Sequence, residues 1–78
     1  MNDDERKEKI KDLRAQLKVA EELHRGHLCR AGELLSSKER GDNVPDLDAR
    51  IQQNNNHIRS SRETIDNLIV QIFVLEHP

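Results

Sequence analysis

The sequence contains very few aromatic residues, cysteines, glycines and prolines. Its 78 residues include one phenylalanine, no tyrosine and no tryptophan, and only 33% of the residues are hydrophobic. β-Strands favour aromatic and β-branched residues, so such a chain has little material for a sheet. The single cysteine, Cys29, excludes an intramolecular disulfide and fits a reducing compartment. The composition is typical of long, solvated helices in a small chain that needs a partner or a second copy to complete its core.

The chain also lacks an excess of one charge and a long apolar run. Its 13 basic and 15 acidic residues give a net charge of −2, which does not provide the positive field that nucleic acid requires. The longest apolar stretch, residues 68–75, is interrupted by Gln71 and is far shorter than the roughly 20 residues of a membrane span. The N-terminus is charged and lacks the apolar core of a signal peptide. We therefore expect a cytoplasmic protein that binds neither nucleic acid nor membrane.

Regularly spaced isoleucines predict a helix that pairs with another helix. Ile51, Ile58, Ile65 and Ile72 are seven residues apart, and a spacing of two helical turns puts them on one side. The first half of the chain has an apolar line at the three-and-four spacing of an amphipathic helix. That line consists of Ile10, Leu13, Leu17, Ala20, Leu23, His24, His27, Leu28, Ala31, Leu34 and Leu35.

The only dense turn signal lies between these two patterns. Asn2, together with Glu5, can cap the start of the first helix, and Gly41 can end it. Pro45 is tolerated only in the first turn of the second helix. Two long helices joined by so short a loop must fold back side by side. The sequence thus predicts an all-α fold, a coiled-coil-like antiparallel two-helix hairpin. Its single domain covers residues 1–78, with helix one at about 3–40, the turn at 41–45 and helix two at about 45–76.

His24 and His27 lie on the inward face of the predicted helix one, and the predicted fold brings His57 near them, which allows three interpretations. In the first, His24, His27 and His57 join Asn54 and Ser61 in a polar belt that fixes the register of the helices. In the second, the same histidines respond to pH, since histidine titrates near neutrality. In the third, they bind zinc, which needs three or four converging ligands. We favour the polar belt, leave the pH response open, and expect no metal or other cofactor.

The end of the second helix is apolar on nearly every side. Val70, Phe73 and Val74 point away from the seam, and the charged start of the first helix can cover only one side. A second copy or another protein would therefore cover the rest, unless the segment is a frayed tail. The predicted partner-binding residues are Ile65, Leu68, Ile69, Val70, Ile72, Phe73 and Val74.

No catalytic pattern is present in the sequence. Ser36 and Ser37 have no neighbouring base, no phosphate-binding glycine loop occurs, and a pair of helices offers no concave pocket in which acid and base groups could converge. The tripeptide at residues 40–42 spells an integrin-type motif, but a helix-ending glycine between two charged residues accounts for it. We expect that the protein is not an enzyme.

Three segments carry a family resemblance: 40–46 (RGDNVPD), 51–55 (IQQNN) and 65–73 (IDNLIVQIF). With these segments, its length and its two-helix plan, the chain resembles the small co-chaperones of type III secretion needle subunits. The resemblance implies an adaptor that packs on a tetratricopeptide-like chaperone and, with it, keeps the needle subunit soluble in the bacterial cytoplasm. It also implies that Ile65, Leu68, Ile69, Ile72 and Phe73 contact that chaperone. The alternative is a small self-associating regulator or inhibitor, of phage or mobile-element type, that blocks a host protein or binds a small ligand.

Overall fold

The computed structural model describes residues 2–78 and contains two α-helices, α1 (Asp3–Arg40) and α2 (Leu47–Glu76). The helices lie antiparallel and form a rod of 58 × 15 × 14 Å. Residues 2–78 contain no β-strand. The predicted all-α helical hairpin is therefore confirmed.

Helix α1 begins and ends where its local chemistry satisfies the free backbone groups. The Asn2 side chain accepts a hydrogen bond from the Glu5 backbone N–H at 2.8 Å, which caps the first turn. At the other end Gly41 has a φ of 73°, a left-handed conformation that glycine adopts without steric cost. Its N–H donates to the Lys38 carbonyl at 3.1 Å, so the chain leaves the helix with its last carbonyls partly satisfied.

Helix α2 begins two residues later than the sequence predicted. Pro45 was expected in its first turn, but Pro45 and Asp46 belong to the connecting turn and the helix starts at Leu47. The reason is the backbone of Asp46, whose φ of 56° is left-handed and cannot be part of a right-handed helix. Aspartate tolerates this conformation better than most residues, and the Asp46 carbonyl still accepts the first helical bond from the Arg50 N–H at 2.9 Å.

The core of the hairpin is small and lies in the half that is distant from the turn, which we call the open half. Leu13, Ala20, Leu68 and Ile72 form one buried cluster. Towards the turn, the only buried residues are Leu34 and Asn54. The partly buried residues packed on the cluster are Ile10, Leu17, Ile65 and Leu75.

The predicted apolar line of α1 is wider than the surface that α2 covers. Leu23, Leu28 and Leu35 were included in that line, but their exposed fractions are 58%, 49% and 50%. A single neighbouring helix covers only a narrow stripe of α1, whose residues follow one another at alternating spacings of three and four. These three leucines lie beside the seam, so the hairpin alone leaves them exposed.

Candidate protein-interaction surface

Four residues near the end of α2 are large, apolar and exposed. Ile69 is 49% exposed, Val70 60%, Phe73 59% and Val74 59%. We call these four residues the α2 apolar end. The helix continues to Glu76, so these side chains are displayed on regular secondary structure.

The predicted partner-binding set divides into two groups in the structure. Leu68 and Ile72 are buried, with exposed fractions of 7% and 8%, and Ile65 packs on the same cluster. These three residues occupy seam positions that face α1. In the closed hairpin these three residues face α1, so the four residues of the α2 apolar end are the exposed part of the predicted set.

One long side of the rod presents Ile69 and Phe73. A shallow groove on this side runs between the two helices and is bordered by Arg14 and Glu76, whose side chains form an ion pair. Leu17 and Ile72 form the floor of the groove. We call this surface the Phe73 side.

The opposite long side presents Val70 and Val74. A groove there is bordered by Lys9 and Gln71. Farther along α1, Val19 and Leu23 are each 58% exposed, and they line a second apolar groove on the same side. We call this surface the Val74 side. The α2 apolar end thus contributes to two separate surfaces.

An unpredicted contact covers part of Phe73. The His77 ring stacks on the Phe73 ring with a centroid distance of 4.3 Å and an interplanar angle of 26°. The His77 backbone N–H also donates to the Phe73 carbonyl at 2.9 Å, which closes the last turn of α2. The sequence contains a signal for this contact, because side chains four residues apart, such as Phe73 and His77, are neighbours on a helix.

The predicted polar belt joins the two helices near the middle of the rod. Asn54 is 7% exposed, and its side-chain amide donates to the His27 carbonyl at 3.0 Å. His27 and His57 stack with their ring centroids 5.2 Å apart. Each of these contacts crosses from α1 to α2, so the belt can select one register of the hairpin.

A third contact of the belt joins His24 to Ser61. The Ser61 hydroxyl lies 2.7 Å from His24 Nδ1 and 3.0 Å from the Ile58 carbonyl. A hydroxyl has only one hydrogen, and the carbonyl can only accept. Ser61 therefore donates to either Ile58 or His24, and when it donates to Ile58 it accepts from the Nδ1–H tautomer of His24.

Metal-binding and membrane-spanning features are absent from the part of the chain that the structure describes. Within residues 2–78, no three His, Cys, Asp or Glu side chains are grouped as metal ligands. Neither helix has a stretch long and apolar enough to cross a membrane. Comparisons with protein-family models, curated proteins and solved structures found no match to this chain.

Proposed function

We propose that the chain is a non-enzymatic protein-interaction module that works through the α2 apolar end. The observation that carries this proposal is the exposure of Ile69, Val70, Phe73 and Val74, each about half or more exposed on a regular helix. Groups of large exposed apolar side chains such as these mark interaction sites on small proteins. Burying one such side chain is worth roughly 1.5–3 kcal/mol, so a partner that covers several of them gains enough to bind.

The more specific proposal is an adaptor or co-chaperone in the cytoplasm, like those that keep a type III secretion needle subunit soluble. Its support is the family resemblance of the sequence together with a helix end that is apolar on both the Phe73 side and the Val74 side. Superhelical stacks of helix pairs, such as tetratricopeptide repeats, have concave surfaces that accept a helix. In this proposal the end of α2 lies in that concave surface.

A second candidate is a small self-associating regulator or inhibitor. Leu28 and Leu35 favour it, because they are 49% and 50% exposed and lie on α1, distant from the α2 apolar end. A partner that covers only the end of α2 leaves both leucines in water. A second copy lying along the whole rod would cover them.

The proposed surface is tested by comparing Phe73→Ser with Ile65→Ser. Phe73 is exposed in the hairpin, so its replacement should leave the helix content almost unchanged and weaken association by about one to two decades. Ile65 packs on the buried cluster, so its replacement should unfold the hairpin. Circular dichroism reports the fold, and light scattering with affinity capture from the source cells reports association.

Gln52→Ala is the matched control, because Gln52 is exposed on α2 at a distance from the apolar end. A partner protein identified by mass spectrometry should bind the wild type and Gln52→Ala when reconstituted, and should not bind Phe73→Ser. The proposal fails if Phe73→Ser unfolds the chain as severely as Ile65→Ser. It also fails if Phe73→Ser changes no association at all.

A further inference from the structure

Four exposed apolar residues lie along one long side of the rod. Ile69 and Phe73 share the Phe73 side with Arg14. Leu28 and Leu35 follow Arg14 by two and three steps of seven residues, the repeat that the seam maintains along α1. The Phe73 side therefore presents two apolar pairs, one from each helix, with exposed fractions between 49% and 59%.

The two pairs lie on opposite sides of the middle of the rod. The contact between His24 and Ser61 shows that these residues are level with each other. At 1.5 Å per residue, Ile69 and Phe73 lie about 12 and 18 Å from this level towards the open end. Leu28 and Leu35 lie about 6 and 17 Å from it towards the turn.

We propose that a second copy of the chain packs antiparallel against the Phe73 side. A two-fold axis perpendicular to the rod, near the level of His24, brings Ile69 level with Leu28 of the other copy. The same axis brings Phe73 within one helical turn, about 5.4 Å, of the level of Leu35 of the other copy. The result is a dimer of four helices. In it, the pair Ile69 and Phe73 of each copy lies near the level of the pair Leu28 and Leu35 of the other copy.

The exposed area of the hairpin fits this arrangement. The chain of 9.1 kDa exposes 6071 Å², whereas a folded monomer of that mass exposes about 4,900 Å². One side of the 58 × 15 Å rod has an area on the order of 900 Å², and a stable interface buries about 800 Å² on each partner. Covering one side with a second copy therefore removes most of the excess.

The charges at the centre of the Phe73 side are also compatible with the two-fold axis. Glu21 and Arg62 lie one seven-residue step from Arg14 and Ile69, and both are exposed. Both are within about 5 Å of the level of His24. The axis brings two Glu21 carboxylates and two Arg62 guanidinium groups together, so opposite charges are available for pairs between the copies.

This dimer rests on the proposed function, because it assigns one occupant to part of the α2 apolar end. It leaves the Val74 side open, with Val19, Leu23, Val70 and Val74 available to a different protein. The two claims share Ile69 and Phe73, but Leu28 is distant from the α2 apolar end, so Leu28→Glu tests the dimer separately from the proposed function.

The geometry is tested by cross-linking the double variant Leu28→Cys, Ile69→Cys in a Cys29→Ala background. Within one chain these two positions are about 18 Å apart along the rod, so a short bis-maleimide cannot join them. Between two antiparallel copies they are level, and a covalent dimer should form. The matched control is Leu23→Cys, Val70→Cys on the Val74 side, which should give no covalent dimer.

Sedimentation equilibrium then measures the dimer directly. The wild type should sediment at twice the chain mass of 9.1 kDa. Leu28→Glu should raise the dissociation constant at least about tenfold while the helix content is kept, whereas Leu23→Glu should change it little. A wild type that remains monomeric at high micromolar concentration overturns the dimer, as does equal cross-linking of the two cysteine pairs.

The outcomes separate this inference from the proposed function. If Leu28→Glu remains a dimer but Phe73→Ser loses a reconstituted partner, packing of the second copy on the Phe73 side is excluded and the interaction module stands. If Leu28→Glu becomes monomeric and no partner distinguishes Phe73→Ser from the wild type, the dimer stands and the adaptor proposal falls.

Discussion

Two glycines inside α1 are informative at the scale of single residues. A Cβ atom added at Gly26 or Gly32 would meet nothing within 4 Å, so the hairpin itself gives no reason for either glycine. Glycine in a helix interior is less favourable than alanine by roughly 0.5–1 kcal/mol, because it loses more backbone entropy. Within the hairpin, no backbone of the other helix approaches either glycine.

We therefore predict that Gly26→Ala and Gly32→Ala each stabilise the chain by about 0.5–1 kcal/mol. Thermal unfolding followed by circular dichroism should show a rise of several degrees for each variant. Gly41→Ala is the control and should destabilise, because its φ of 73° is unfavourable for any residue with a side chain. A lower midpoint for Gly26→Ala would instead indicate that another chain lies against that position in the assembled protein.

Some residue-level features could be read from the sequence and others could not. The cap formed by Asn2 and the left-handed Gly41 follow from residue type and position, because few other residues satisfy helix ends. The burial of Asn54 also follows from its place in the seven-residue repeat. The stacking of Phe73 on His77 depends on side-chain rotamers, which a sequence pattern does not specify.

At the scale of the helix, the beginning of α2 shows where pattern reading gave the wrong boundary. Proline is common in the first helical turn, so the sequence predicts a helix that begins at about Pro45. The left-handed φ of 56° at Asp46 shifts the start to Leu47. No periodic signal predicts such a conformation, because several residue types adopt it occasionally in turns.

A substitution at Asp46 tests this account of the α2 boundary. We predict that Asp46→Val lowers the free energy of unfolding by about 1–2 kcal/mol, since a β-branched residue is strained in the left-handed region. Asp46→Gly should be neutral or slightly stabilising, because glycine adopts this conformation freely. Urea titration of both variants measures the difference, and equal stabilities would show that the backbone at Asp46 is not left-handed in solution.

At the scale of the whole molecule, the fold followed from the sequence more completely than the surface did. The isoleucine repeat, the amphipathic first half and a single turn leave few alternatives to a hairpin. The set of exposed apolar residues was harder to predict, since Leu28 and Leu35 have the spacing of core residues and become exposed only because one helix covers a narrow seam. Ile65, Leu68 and Ile72 belong both to the seam and to the predicted partner-binding set, because a family resemblance does not separate seam positions from outer ones.

The position of the buried cluster also determines how the chain closes on itself. Leu13 and Ile72 belong to one cluster although about three quarters of the sequence lies between them, so their contact forms a large loop. The entropy of closing a flexible loop grows only with the logarithm of its length, and a full doubling costs about 0.6 kcal/mol. The turn at residues 41–46 is therefore a tether whose length has little effect on stability.

Inserting six Gly/Ser residues into this turn should lower the free energy of unfolding by less than about 0.6 kcal/mol, as measured by urea titration. A collapse of stability would show that contacts beside the turn hold the helices together, and a retained fold would make this turn a site for a label or a fused domain at the end of the rod distant from the α2 apolar end.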